Sequence, residues 1–203
     1  LAGTHIAGPV TLSGLPAFCR DVREGEALDA RVAAGDAGLG EGVRAMMAHC
    51  RPDRETLRAD LATLLDRPAP LGVHQGRLAE RDGSFAPVFD IAARGSRPVA
   101  AMARLAGLLS GAEEVGTAAR LQALARLGRL SPEAARNAED ALAFFERERL
   151  MARLSGQPGD PDVVSRPGSL SARRRQEYRA AFGAVEALRL ALLPWLAAGE
   201  GGS

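Results

Sequence analysis

The stretch Ser131–Leu154, SPEAARNAEDALAFFERERLMARL, decides the class of fold. Ser131 can cap a helix, Pro132 suits its first turn, and Glu133 sits at the positive end of the helix dipole. The helix it predicts runs to about Leu154. The same pattern recurs on both sides. Upstream, Pro98 opens a helix with Met102, Leu105, Leu108 and Leu109 on one face, ended by Gly111. Thr117 caps the next, with Leu121, Leu124 and Leu127 inside and Gly128 after it. Downstream, a Gly/Pro/Asp loop over 156–168 leads to Ser171. The last helix then runs through Tyr178, Phe182, Val185, Leu188, Leu192 and Leu196. Its 26 residues would span about 39 Å.

Earlier still, Asp36 can cap a helix to about Cys50, and Asp53 starts another. In that one Leu57, Leu61, Leu64 and Leu65 form a stripe, stopped at Arg67 by Pro68-Ala69-Pro70. Long helices joined by short breaks predict a mainly α fold, an antiparallel helical bundle. The texture changes once. Val73–Arg81 and Phe85–Ala93 flank Asp82-Gly83, which predicts one small β-hairpin over about 73–93. Phe85, Phe89 and Ile91 alternate with Val88 and Asp90, and Pro87 makes this an edge strand at best. The organisation expected is an N-terminal arm (1–35) packing on one bundle domain (36–198), then a disordered tail (199–203).

Composition narrows the function. The chain has 203 residues, and all 26 of its basic residues are Arg; with 25 acids the net charge is +1. That balance argues against a nucleic-acid binder, which carries a strongly basic face. No stretch approaches the about 18 apolar residues of a membrane span. Leu1–Phe18 has no Asp, Glu or Arg, but Gly and Pro interrupt it and it lacks a basic start, so it does not read as a signal peptide. Cys19 and Cys50 show no motif spacing, and a reduced, cytoplasmic protein is the expectation. With six Phe, one Tyr and one Trp, the core is expected to be aliphatic.

The residues that could carry chemistry are few. His5, His49 and His74 do not pair with the cysteines at zinc spacing, so no metal site is expected. Three scattered histidines make no recognisable triad for a nucleophile. The glycines around Gly35–Gly40 lack a Walker Lys and a preceding strand, and read as a helix cap. Gly83-Ser84 is followed by Asp90, but Ala92 stands where nucleotidyl transfer would need a second acid, and Asp160-Pro161-Asp162 has no Gly-Ser before it. No catalytic residue is assigned. One feature stands out: Arg149 lies four residues after Phe145 and seven after Leu142, on a face that should be core. It either snorkels at the bundle end or makes an ion pair or ligand contact inside it. The expectation is that it is at least half buried and paired with Asp29, Asp36 or Asp90. Arg104 and Arg120 sit near apolar stripes in the same way. Arg173-Arg174-Arg175 opposes the dipole of the last helix and reads as a solvated turn.

Several segments, in order, resemble a bacterial family of nucleotidyltransferase substrate-binding domains. They are Leu28-Asp29-Ala30-Arg31 with Gly35-Asp36; Pro70-Leu71-Gly72 with Asp90-Ile91; Pro98-Val99 to Ala103-Arg104; Thr117 with Arg120-Leu121; Arg149-Leu150; and Pro161 through Pro167 to Leu170-Ser171. The resemblance spans about 9–196. The chain departs from the family's usual pattern at Ala92, Ala101, Arg153 and Val163, so a pocket typical of the family is altered here.

That resemblance implies a non-catalytic, accessory helical domain that helps bind an acceptor, a protein or small polar molecule, as in glutamine-synthetase-adenylyltransferase-like systems. Such domains accompany cyclic-nucleotide-binding and CBS modules in signalling proteins. Asp29, Arg31, Asp36, Asp90, Arg104, Arg120 and Arg149 become the substrate-binding or interdomain candidates. No cofactor is expected in this chain. Magnesium and a nucleoside triphosphate would belong to an upstream nucleotidyltransferase domain of the same polypeptide, the expected partner. The rival reading is a dimerisation or protein-interaction scaffold, including a homodimer, with no small-molecule substrate.

Overall fold

The structure, a computed structural model, describes residues 51–86, 90–155 and 170–197 together with Ala45. The chain divides into two compact units, 1–56 and 57–203. The expected arm (1–35), the tail (199–203) and the helix from Asp36, apart from Ala45, which is helical, lie outside the described residues.

Helix α1, Arg54–Leu65, starts where Asp53 predicts. The Asp53 carboxylate accepts hydrogen bonds from the Thr56 N–H at 2.8 Å and the Thr56 hydroxyl at 3.0 Å. Leu57, Leu61 and Leu65 are buried, one helical face of the expected stripe. After Pro68-Ala69-Pro70 comes a three-stranded antiparallel sheet, β1 Gly72–His74, β2 Arg77–Ala79 and β3 Phe85–Ala86, in that order. Val73 faces Leu78, and Leu78 faces Ala86.

The sheet corrects the hairpin expectation at both ends. Val73–Arg81 is not one strand, because Gln75 and Gly76 both take positive φ, 46° and 78°, and turn it back on itself. Two such residues between paired strands form the turn that suits right-handed twist. The Asp82-Gly83 turn is where the sequence puts it: the Asp82 carboxylate accepts from the Ser84 N–H at 2.8 Å, and Gly83 sits at φ 84°. The strand after it does not reach Ala93. Asp90 caps a helical start instead, accepting from the Ala93 N–H at 2.7 Å, and Ile91 is wholly buried. A side-chain cap three residues ahead of an open N–H outweighs a short apolar alternation.

What Asp90 starts is a π-helical segment, Ala92–Ser96, that runs directly into α2, Arg97–Leu109, with Pro98 in its first turn. Helix α3, Thr117–Arg126, has Gly116 at its cap with φ 100°, so Thr117 is the first helical residue and not the cap. Leu127 lies past the helix and is 52% exposed, contrary to its expected place inside. Helix α4, Pro132–Leu154, begins as read, with the Ser131 hydroxyl accepting from the Ala134 N–H at 3.0 Å. Helix α5, Ala172–Leu192, is capped by Ser171 in the same way. It stops short of Leu196 because Pro194 cannot donate to the ladder; a short α6, Pro194–Ala197, follows. No helix among the described residues is long and apolar enough to cross a membrane.

Helices α4 and α5 pair most extensively, and α3 packs on both α2 and α4. Glu148 meets Tyr178 while Phe145 meets Phe182, so the two long helices run antiparallel. Their seam is aromatic, not aliphatic. Phe145, Tyr178 and Phe182 are fully buried, with ring centroids 5.2 Å apart for Phe145–Phe182 and 4.9 Å for the edge-on Phe144–Tyr178 pair. Centroids at 4.5–7 Å, offset or edge-to-face, are the arrangement that ring quadrupoles favour. Gly95 of the π segment lies flat on this seam: a Cβ there would come within 2.8 Å of the Phe145 ring. Propensity alone would make Gly95→Ala stabilising by up to about 1 kcal/mol. The buried ring reverses the sign, and a loss of about 1–3 kcal/mol is expected. Urea unfolding checks it; the double variant Gly95→Ala, Phe145→Leu should recover part of the loss, and an unchanged midpoint in Gly95→Ala would refute the close contact.

Candidate functional site: an arginine-rimmed pocket

Two buried carboxylates organise the polar side of the fold within 57–203. Glu186 of α5 is the first. Its Oε2 accepts from the Ala69 N–H at 2.9 Å and from Arg189 Nε at 3.0 Å, and its Oε1 from Arg189 at 2.9 Å, with Arg81 at 3.1 Å. Arg189 also donates to the Leu65 carbonyl at 2.6 Å. One ion pair therefore fixes the C-terminal end of α1, the proline loop and the β2–β3 turn to α5. Burial pushes the Glu186 carboxyl up, but the Arg189 and Ala69 hydrogen bonds with the charges of Arg189 and Arg81 outweigh it and hold it below the usual carboxylate range.

Glu148 of α4 is the second. It accepts from the Tyr178 hydroxyl at 2.8 Å and from Arg174, which also donates to Glu177 at 2.7 Å. The Arg174 guanidinium lies 5.5 Å from the centroid of the Phe144 ring. Burial and the neighbouring Glu148 charge hold the Tyr178 phenol far above its ordinary range.

The first network borders a pocket of about 120 Å³, formed where the end of α1, the proline loop, the π segment, the start of α2 and α5 meet. Leu64, Met102 and Val185 give it apolar walls, and Pro68, Pro70 and Pro98 contribute no N–H donors. Its donors are therefore guanidinium groups, from Arg67, Arg94 and Arg189. Arg189 is committed to Glu186, and Arg94 donates to Glu80. The Arg94 Nε is buried and has no acceptor among the described residues. Arg67 is exposed and has no acid partner among them. A second, larger groove of about 540 Å³ runs along α4 and α5, lined by Ala141, Phe144, Ala180, Gly183, Ala184 and Ala187. Among the described residues no cluster of His, Cys, Asp or Glu could hold a metal ion.

The residues singled out from the sequence fall elsewhere. Asp29, Arg31 and Asp36 lie outside the described residues. Asp90 is the helix cap already described. Arg104 is half-buried on α2, and Arg120 is buried on α3 with its aliphatic stem against Gly107. Arg149 on α4 is well buried, 19% exposed at its side chain, as expected. Among the described residues it pairs with Glu146 at 2.8 Å, one turn back on the same helix and 50% exposed, while the expected partners Asp29 and Asp36 lie outside the described residues. Of these, none among the described residues lines the pocket. The three-arginine run is not a uniform solvated turn. Arg173 is 90% exposed, but Arg174 reaches buried Glu148, and Arg175 donates to the Leu170 carbonyl at 2.6 Å. Glu148 and Glu186 were findable by the reasoning applied to Arg149: each is an acid on an apolar line, three residues after Phe145 and four after Phe182.

A family model described as "Putative nucleotidyltransferase substrate binding domain" matches residues 54–193. This chain belongs to that family. The match begins with α1 and ends just past α5, so it contains the whole pocket. No curated protein and no solved structure matched. The matched span is thus the helical unit together with its small sheet.

Two outcomes follow from the two carboxylates. Double-mutant cycles isolate each ion pair from its surroundings. Arg174–Glu148 should couple by about 1–3 kcal/mol, since breaking it strands a buried acid, and Arg149–Glu146 by less than about 1 kcal/mol. Equal couplings would refute the contrast. Glu186 also predicts an acid sensitivity. Its folded pKa lies below its unfolded one, so its contribution is complete above about pH 4.3 and fades as pH falls through the folded value. Stability curves of the wild type and Glu186→Gln should therefore converge in acid; parallel curves down to pH 3 would contradict the pairing.

Proposed function

We propose that this domain binds the acceptor substrate for a nucleotidyl transfer whose chemistry is carried out by a separate domain upstream in the same polypeptide. The observation that carries the reading is the arginine-rimmed pocket, which falls wholly inside the span matched by the substrate-binding family. It offers cationic donors on an apolar, proline-walled base, which is suited to holding a polar molecule and not to activating one. Use of the Gly83-Ser84…Asp90 stretch supports the same division of labour. Gly83 makes a turn, the Ser84 N–H closes on Asp82, and Asp90 caps a helix. Nucleotidyl transfer needs carboxylates free to hold a metal on the triphosphate. Magnesium and the nucleoside triphosphate would be held by the upstream domain. The acceptor would be a protein or a small polar molecule, and the setting a signalling protein of the cytoplasm.

The test is a transfer assay with labelled nucleoside triphosphates and magnesium, run on chain 1–203 and on the complete reading frame. The chain alone should transfer nothing. In the complete protein, Arg67→Gln should raise the KM for the acceptor several-fold while leaving the KM for the triphosphate unchanged. Transfer by the chain alone, abolished by Asp160→Asn with Asp162→Asn, would overturn the reading. So would a variant that changes only the triphosphate KM.

A further inference from the structure

We infer that the Arg67–Arg94–Arg189 pocket takes a carboxylate monoanion on a short aliphatic stem, and that this is the group by which the acceptor is held. The inference rests on the substrate-binding reading above for its role, and on the pocket alone for its chemistry. Size comes first. At about 120 Å³ the pocket is somewhat smaller than a cavity of about 150 Å³ that holds a benzene ring, enough for a carboxylate with two or three carbons and too little for a nucleoside. Shape and polarity come next. Leu64, Met102 and Val185 present apolar surface and the prolines give no N–H donors, so a ligand finds few polar partners besides the arginines.

Those partners are guanidinium groups, whose planar fork matches a carboxylate in two parallel bonds. Arg67 brings an uncommitted cation. Arg94 lines the pocket with its guanidinium held by Glu80. Arg189 is locked by Glu186 and the Leu65 carbonyl, and forms a fixed wall. Charge decides between anions. Glu80 faces Arg94, Glu186 faces Arg81 and Arg189, and the charge of Asp66 reaches Arg189. These acids offset most of the arginine charge, which leaves a field suited to one negative charge. A phosphate dianion would need more donors than the proline walls allow.

The probes are butyrate, uncharged butyramide of the same shape, and inorganic phosphate, titrated into chain 1–203 by calorimetry at low salt. Butyrate should bind in the millimolar range, with butyramide and phosphate at least tenfold weaker. Arg67→Gln, at an exposed position, should weaken butyrate about tenfold. Ala93→Phe, a ring placed on the lining from an exposed position, should abolish binding. Arg173→Gln, far out in solvent, should leave it unchanged, and circular dichroism checks that each variant is folded. Phosphate preferred over butyrate, equal binding of butyramide, or butyrate binding indifferent to both Arg67→Gln and Ala93→Phe would overturn the proposal. Butyrate binding that meets these criteria beside an Arg67→Gln acceptor KM that does not move keeps the pocket chemistry and removes the acceptor role. No butyrate binding removes the pocket chemistry whatever the transfer assay gives.

Discussion

A carboxylate removed from water must be surrounded, and at Glu186 that requirement organises one side of the molecule. The groups that satisfy it come from three places in the chain: the Ala69 amide, Arg81 beyond the sheet's second strand, and Arg189, which in turn holds the end of α1 through the Leu65 carbonyl. Leu61, Leu65 and Ala69 pack into the core, and this charge cluster adds the directional contacts that tie α1 and the proline loop to α5. The pocket is a by-product of the same geometry. Its walls are the pieces that Glu186 gathers, and one of its arginines is the clamp itself.

The fold was legible in the sequence wherever the signal was local. Ser131-Pro132-Glu133, Ser171 and Asp53 each mark a helix start by a side chain that bonds an amide three residues on, and no distant contact can hide that pattern. Misreadings arose where two local codes competed. Phe85–Ala93 alternates like a strand, yet Asp90 is also a helix cap, and the cap prevailed because Ile91 is fully buried once the helix turns inward. Gln75 carried no turn signal, because a non-glycine at positive φ is readable only from the strands it joins. Composition was right about the core, which is mostly Leu, Ala and Val, but it could not show that Phe145, Tyr178 and Phe182 are concentrated at one seam.

The pocket was not legible. Its arginines, 67, 94 and 189, lie far apart in sequence and none breaks a pattern at its own position. Arg149 did break one and drew attention, whereas Glu148 beside it is the group that bonds the neighbouring helix. The general lesson concerns sign: a buried acid among apolar residues is as informative as a buried base, and here the two acids tie elements together.

The π segment between Asp90 and α2 has a consequence for heredity rather than for binding. A π turn holds one more residue than an α turn. An α turn covers the same full rotation with one residue fewer, so a one-residue deletion within Ala92–Ser96 would close as ordinary α-helix and leave Val99, Met102, Ala103 and Ala106 facing the core as they do now. The same deletion inside α2 would find no wide turn to absorb it and would rotate all that follows by about 100°. The π segment is thus the place in this helix where the chain can change length without losing phase. Lineages of this domain should vary in length there before they do so within α2.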